Sequence, residues 1–328
     1  MRRANAIMLA LWLALPAGAF AADAGTASGL FLRLPTAAGG AGMGEAGVAV
    51  AAGSPAIFVN PAGLAGVKGG YASFTHSSWA DSLTYNAVSA AAKTRTAGVF
   101  GLGLRYLSYG QMDAYDNTGA RAGSMSPRDI AAEAAWATEL NWDRSLGVSV
   151  KYVSSKIMRD ASSFALDFGV MQRVDRVFLG AALQNSGSGL KYGDEAYPLP
   201  LNLKLGVGLP YGRNLLAAFD LNVTRGASPW VAAGVKYTMP VRDGVAMSLR
   251  AGYNTAAVDT AGVNGFAAGF GLAGGRLGVD YALRTMGELG LTHHLGLSFK
   301  WDIHGLNVIN VEEYPPARKK AKKVFSYK

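Results

Sequence analysis

Between Leu215 and Thr224 the chain reads Leu-Leu-Ala-Ala-Phe-Asp-Leu-Asn-Val-Thr, apolar at the odd positions and turning polar at the even ones. The same period of two runs through 164–169, 201–206, 277–284 and 295–300. Alternation of this kind marks a strand with one face against apolar surroundings and the other against something more polar. Fourteen such segments follow from residue 70: 70–78, 83–93, 97–108, 128–139, 145–157, 162–173, 176–185, 200–209, 214–225, 229–239, 244–254, 263–272, 275–285 and 291–301. Turn chemistry separates them, as in Asn141-Trp142-Asp143, Arg242-Asp243-Gly244 and Ala273-Gly274-Gly275. Their lengths suit the roughly 9–11 residues of a tilted strand crossing a bilayer. The weak segments 70–78 and 83–93 leave counts of twelve and sixteen open. An even count brings both ends of a closed barrel to one side. The predicted fold class is all-β: a transmembrane antiparallel β-barrel of about 14 strands over 70–301, after an N-terminal hatch or plug over 22–69.

Composition removes most competitors. Hydrophobic residues make up 50% and charged residues 16% of 328, against a usual charged share of roughly 25%. Disorder needs the opposite balance. With no Cys, disulfides, thiolate metal sites and cysteine nucleophiles are excluded. Arg2 and Arg3, the apolar run Ile7 to Leu15, Pro16 and Ala19-Phe20-Ala21 read as a signal peptide over 1–21, too short to span. No run of 18 apolar residues follows, so helical spans are not predicted. An exported, Gly-rich chain of alternating strands points to the bacterial outer membrane, with its lipid as the surrounding phase. A soluble β-sandwich is the competing reading, and the signal peptide with fourteen tandem strands weighs against it.

Each face carries its own chemistry. Tyr71, Tyr85, Tyr106, Trp136, Tyr152, Tyr237, Tyr253, Tyr281 and Trp301 fall near strand ends or on the predicted lipid face, where amphipathic rings suit the headgroup zone. The opposite parity places Arg105, Lys151, Lys204, Lys236, Arg250, Arg284 and Lys300 in the lumen with Glu133, Asp167, Asp220 and Asp280. Two readings stand: mutual salt-bridging inside a plugged barrel, or a weakly cation-lined route for acidic solutes.

Residues 22–69 lack the alternation. Gly42-x-Gly44-x-x-Gly47 formally matches a dinucleotide fingerprint, but no strand–helix unit of a parallel sheet surrounds it. Small residues suit close packing in a crowded lumen. The four His lack metal-ligand spacing, and His293 and His294 on one strand point to opposite faces. A lipase needs Ser and His paired on one face, and no Gly-x-Ser-x-Gly elbow exists. No enzymatic activity, cofactor or nucleic-acid partner is predicted. The tail over 302–328 carries six bases against three acids and is expected in the periplasm, free or against an anionic partner.

Several blocks resemble one family. Phe31-Leu32-Arg33-Leu34, Gly42-Met43-Gly44-Glu45-Ala46 and Asn60-Pro61-Ala62-Gly63-Leu64 look like the N-terminal signature of the PorV/PorQ family. Asp167-Phe168-Gly169, Asn185-Ser186-Gly187, Leu249-Arg250-Ala251-Gly252-Tyr253 and Asp280-Tyr281-Ala282 follow its pattern in order. That family is similar to FadL-type transporters of hydrophobic compounds, fourteen-stranded barrels with an N-terminal hatch carrying Asn-Pro-Ala. The resemblance implies a hatch built on Gly42, Met43, Gly44, Asn60, Pro61 and Ala62, with the Asn60 amide bonding plug backbone. It implies secretion-system or cargo proteins as partners, with docking or shuttling for a type IX-like apparatus as the function. The alternative is a FadL-like uptake channel for a hydrophobic ligand, which needs an apolar pocket and a gap or kink in the wall. The Gly- and Ala-rich strand 263–272 is a candidate for that kink.

Overall fold

The computed structural model describes residues 27–79, 83–141, 143–157, 159–256 and 263–301; the predicted signal peptide, the basic tail and Trp142 lie outside them. The strands are β1 (Gly70–Ser78), β2 (Thr84–Lys93), β3 (Val99–Ser108), β4 (Met112–Tyr115), β5 (Arg121–Met125) and β6 (Arg128–Asn141). They continue with β7 (Arg144–Lys156), β8 (Asp160–Val174), β9 (Val177–Gly187), β10 (Leu190–Tyr192), β11 (Glu195–Tyr197) and β12 (Asn202–Tyr211). The last are β13 (Leu215–Thr224), β14 (Trp230–Arg242), β15 (Val245–Asn254), β16 (Asn264–Gly274), β17 (Leu277–Met286) and β18 (Leu291–Trp301). Fourteen of them close into one antiparallel barrel, with β1 pairing β18 from Gly70↔Trp301 to Ser78↔His293. Closure leaves none of the fourteen wall strands with an unpaired edge.

Their bounds differ by a few residues from those the alternation predicts, because period two reads the paired core of a strand better than its ends. The hairpins β4–β5 and β10–β11 were not predicted. They are short and rich in exposed polar residues, so they carry no alternation to read. Both stand at the end of the barrel with the longer connections, hereafter the loop end. The other end has only 94–98, 142–143, 175–176, 212–214, 243–244 and 275–276, and is the tight-turn end.

Parity separates the faces. Along β8, Phe164, Leu166 and Phe168 are exposed outward while Ala165 and Asp167 are buried inward. Two aromatic expectations are corrected: Tyr85 is buried inside at 1% exposure, and Tyr71 packs inward on a buried cluster. The lumen holds an apolar core of its own, so an inward aromatic has somewhere to go.

That core forms between the wall and the chain from 27 to 69. Here lie 3-10 turns at Leu30–Arg33, Ser54–Phe58 and Pro61–Gly66, and the short helix α1 (Ala38–Gly42). Phe31 and Leu32 join Tyr85, Leu107, Val153, Leu190 and Leu199 near the loop end. Ile57, Phe58 and Leu64 pack with Ala87, Val99 and Ala137. Inward glycines make the room: a Cβ on Gly103 would meet the Phe58 ring, on Gly147 the Pro61 backbone, on Gly180 the Val48 carbonyl, and on Gly234 or Gly252 Met43. Glycine in a strand allows this close backbone approach. We call 27–69 the inner segment.

Candidate functional site

The inner segment is tied to the wall at points spread around the barrel, and Asn60 is the most connected. Pro61 opens a 3-10 turn and its fixed φ suits that first position. Asn60 precedes it in an extended conformation (φ −153°, ψ 105°), the geometry favoured before proline. Its Oδ1 accepts from the Ala62 N–H at 3.1 Å, capping the turn. Its Nδ2 donates to the Val48 carbonyl at 2.9 Å, and to the carbonyls of Val170 at 3.2 Å and Ala181 at 3.3 Å. One fully buried amide thus joins two parts of the inner segment to β8 and β9.

The glycine-rich stretch is held on the opposite wall. Gly42 lies against the Gly269 backbone, and Met43 fills the space left by Gly234 and Gly252. Gly44 has φ +65°, and a Cβ there would stand 2.6 Å from the Tyr253 nitrogen, so both conformation and space require glycine. Its carbonyl accepts from Asn254 Nδ2 at 3.1 Å. Asp220 accepts the N–H groups of Gly47 at 2.7 Å and Val48 at 2.9 Å. Gln184 donates to the Phe58 carbonyl at 2.8 Å, and Arg105 to the Leu32 carbonyl at 3.0 Å.

All eleven ionisable positions assigned inward from the sequence stand on the inward parity of their strands. Arg105 pairs with Glu133, which is 3.9 Å from Lys151; Lys151 reaches Asp167 at 2.8 Å. Asp167 in turn accepts the Asn185 N–H at 2.7 Å, where β8 and β9 shift register and Asn185 has φ +61°. Lys151 also donates to Asn185 Oδ1 at 2.8 Å. On the far wall Arg250 pairs with Asp280 at 2.7 Å and Arg284 with Glu45 of the inner segment at 2.9 Å. Lys204 lies within electrostatic reach of Glu45, Asp220 and Asp167, and Lys300 lies over the Tyr71 ring at 5.6 Å. Lys236 is nearly buried and partnered. Four of the seven bases, Arg105, Lys151, Arg250 and Arg284, are thus salt-bridged inside the barrel. A row of cations open to an acidic solute would leave these bases without their carboxylates.

Sequence reasoning missed Asn254, Gln184, Asn185 and Glu45. Asn254 and Gln184 are uncharged polar residues near the loop-end termini of inward strand faces, which is the signal that could have found them; Asn185 turns inward only through the register shift, which parity does not announce. It also missed a Ser–His pair: Ser77 Oγ and His294 Nδ1 lie 2.7 Å apart across β1 and β18. His294 Nε2 meets the Thr292 hydroxyl at 3.1 Å, where a hydrolase would have a carboxylate, and the ring is fully buried. His293 faces outward beside Tyr281 at 2.8 Å, as strand alternation requires.

The candidate wall kink is a local bulge. β16 shifts register between Asn264 and Ala267, with Gly265 at φ +76°, yet remains paired to β15 and β17. An inner cavity of about 70 Å³ lies at the tight-turn end among Tyr71, Ser248, Arg250, Asp280, Ser298 and Lys300. A wider concavity of about 370 Å³ sits on the outer wall beside Arg128, Tyr152, Ser154, Lys156, Asp160 and Ser162.

No family model matches the chain, and no curated protein matches it. The PorV/PorQ resemblance therefore rests on its sequence blocks. Solved structures do match. A Pseudomonas aeruginosa FadL homologue aligns over 83% of this chain and 99% of its own, with a TM-score of 0.54 and 14% identity. The P. putida toluene transporter TodX aligns over 83% and 100%, with a TM-score of 0.55 and 13% identity. The Ralstonia pickettii toluene transporter TbuX aligns over 82% and 99%, with a TM-score of 0.55 and 12% identity. At these identities the likeness is one of fold: the chain is a closed fourteen-stranded antiparallel β-barrel of FadL-like architecture.

Proposed function

We propose that this protein is an outer-membrane passage for small hydrophobic compounds, with the inner segment as its gate. One observation carries the reading: a separate stretch of chain, 27–69, fills a closed barrel and is held to its wall by discrete hydrogen bonds, chief among them those of Asn60. The FadL-like architecture, shared with proteins described as toluene transporters, supports it.

The two ends of the inner segment differ in what holds them. Near the loop end Phe31 and Leu32 rest in an apolar cluster with Leu190 and Leu199, with Arg105 donating to the Leu32 carbonyl at 3.0 Å. An incoming apolar molecule competes for the same contacts, because hydrophobic burial is non-directional and scales with area. Deeper in, Asn60 and Asp220 hold backbone groups directionally, so that region keeps its place until those bonds are exchanged. The ionic lumen face is then structural, setting the wall against which the segment packs. The barrel's apolar outer band supports a seat in lipid.

The test is uptake of toluene into sealed vesicles containing the purified full chain, compared with empty vesicles. Faster uptake, further raised by Asn60→Ala, is expected. Uptake equal to that of empty vesicles for both proteins would sink the proposal and leave the docking role in secretion as the better reading.

A further inference from the structure

The two ends of the barrel differ sharply in charge. At the tight-turn end stand Lys68, Lys93, Arg95, Arg144, Arg173, Arg176, Arg213, Arg242, Arg276 and Lys300, against Glu139, Asp143, Asp175 and Asp243. At the loop end, among the described residues, Arg121, Arg128, Lys156, Arg159, Lys191 and Arg225 face Asp113, Asp116, Asp129, Asp160, Asp194, Glu195 and Glu288. Among the described residues one rim is strongly basic and the other close to neutral.

The basic rim is built in a regular way. Arg95, Arg176, Arg213, Arg242 and Arg276 are all exposed, each in or beside a different tight turn, so the cations are spread round the circumference. Four of these turns adjoin outward-facing apolar wall: Phe100 is 51% exposed, Tyr211 79%, Val241 57% and Leu277 65%. Long basic side chains just beyond an apolar band extend their stems along it and place their charge at headgroup depth. A protein partner would need a basic sector on one side, or a basic mouth. A ring matches what surrounds a barrel on every side.

We propose that the tight-turn rim is a binding surface for anionic phospholipid headgroups in the leaflet around it, with the five exposed turn arginines engaging the phosphates. The inference rests on the membrane placement proposed above. In that placement the short turns face the periplasm, and the leaflet concerned is the inner one.

The experiment uses the full-length protein in nanodiscs of phosphatidylcholine with a minor share of phosphatidylglycerol, reading the lipids that co-purify after detergent stripping. An attraction of roughly 1 kcal/mol per basic residue corresponds to about a fivefold preference at low salt. Wild type should retain phosphatidylglycerol several-fold above its share, less so at high salt. Replacing Arg95, Arg176, Arg213, Arg242 and Arg276 together by Gln should abolish the enrichment, and replacing them by Lys should restore most of it. The loop-end control, Arg121, Arg159 and Arg225 to Gln, should leave it unchanged. Wild type that inserts without enrichment, or enrichment lost equally in the control, overturns the inference and leaves the barrel reading standing. Wild type that does not insert overturns both. If the Gln variant does not fold, the salt dependence of wild type and the Lys variant decide the matter.

Discussion

Asn60 of the inner segment and Gly169 of β8 claim the same space: a Cβ on Gly169 would overlap the Asn60 Oδ1. The carbonyl of the next residue, Val170, accepts from the Asn60 amide at 3.2 Å. The wall residue is glycine because the amide must come this close to bond strand backbone that other strands already share.

Gly169→Ala should therefore act as an overpacking change. We expect a loss of about 1–3 kcal/mol, with proteolysis of the inner segment faster than in wild type while the barrel stays closed. Limited proteolysis with mass mapping reads the first effect and heat-modifiable mobility the second. Unchanged cleavage would show that the contact does not hold the segment.

Asn60→Ala removes the cap and the wall bonds together. Leaving buried carbonyls without their donor costs about 1–3 kcal/mol, so the segment should loosen without loss of insertion. Hydrogen exchange should rise in 48–62 and in the β8 and β9 amides around Val170 and Ala181, whose carbonyls Asn60 bonds. A uniform rise across all strands would instead indicate global destabilisation.

Lys151 stands between two carboxylates, Glu133 and Asp167, with 1% of its side chain exposed. Lys151→Met should cost about 3–5 kcal/mol because it strands buried negative charge. Adding Asp167→Asn should recover a substantial part of the loss. Reversible denaturant unfolding in lipid measures both, and additive losses in the double variant would contradict the coupling.

The two faces should respond differently to polarity. Leu221→Arg or Phe168→Arg, on the outward parity, should cost about 2–4 kcal/mol at the bilayer midplane. Asn222→Ser, one residue away on the inward face, should cost far less. Equal losses at Leu221 and Asn222 in the same unfolding measurement would show that the register does not separate lipid from lumen.

Much of the barrel was legible before any coordinates. Leu215–Thr224 and Leu277–Met286 alternate so regularly that their strand character, length and face parity follow from the residues alone. Adding such segments up gave fourteen, with twelve and sixteen left open, and an even count suited a closed barrel. The Asn60-Pro61 pair announced a defined turn, because proline restricts both residues.

What the residues could not decide was what lies opposite each inward face. Period two says that Tyr85 and Ala87 share a side, but that side could be lipid or lumen when Ala and Ser line both. Tyr85 faces in because Phe31 and Leu32, more than fifty positions earlier, give it apolar neighbours there. The glycines of β7, β8, β9 and β14 look alike in sequence, and only the folded segment shows them as sockets for Pro61, Asn60, Val48 and Met43. The partners of the buried ions were equally hidden, since Arg284 of β17 meets Glu45 of the inner segment, far away in the chain. Local alternation dictates strands because each residue's two faces are set by its own backbone. The filling of the lumen depends on contacts between distant residues, and those exist only once the barrel has closed around the chain inside it.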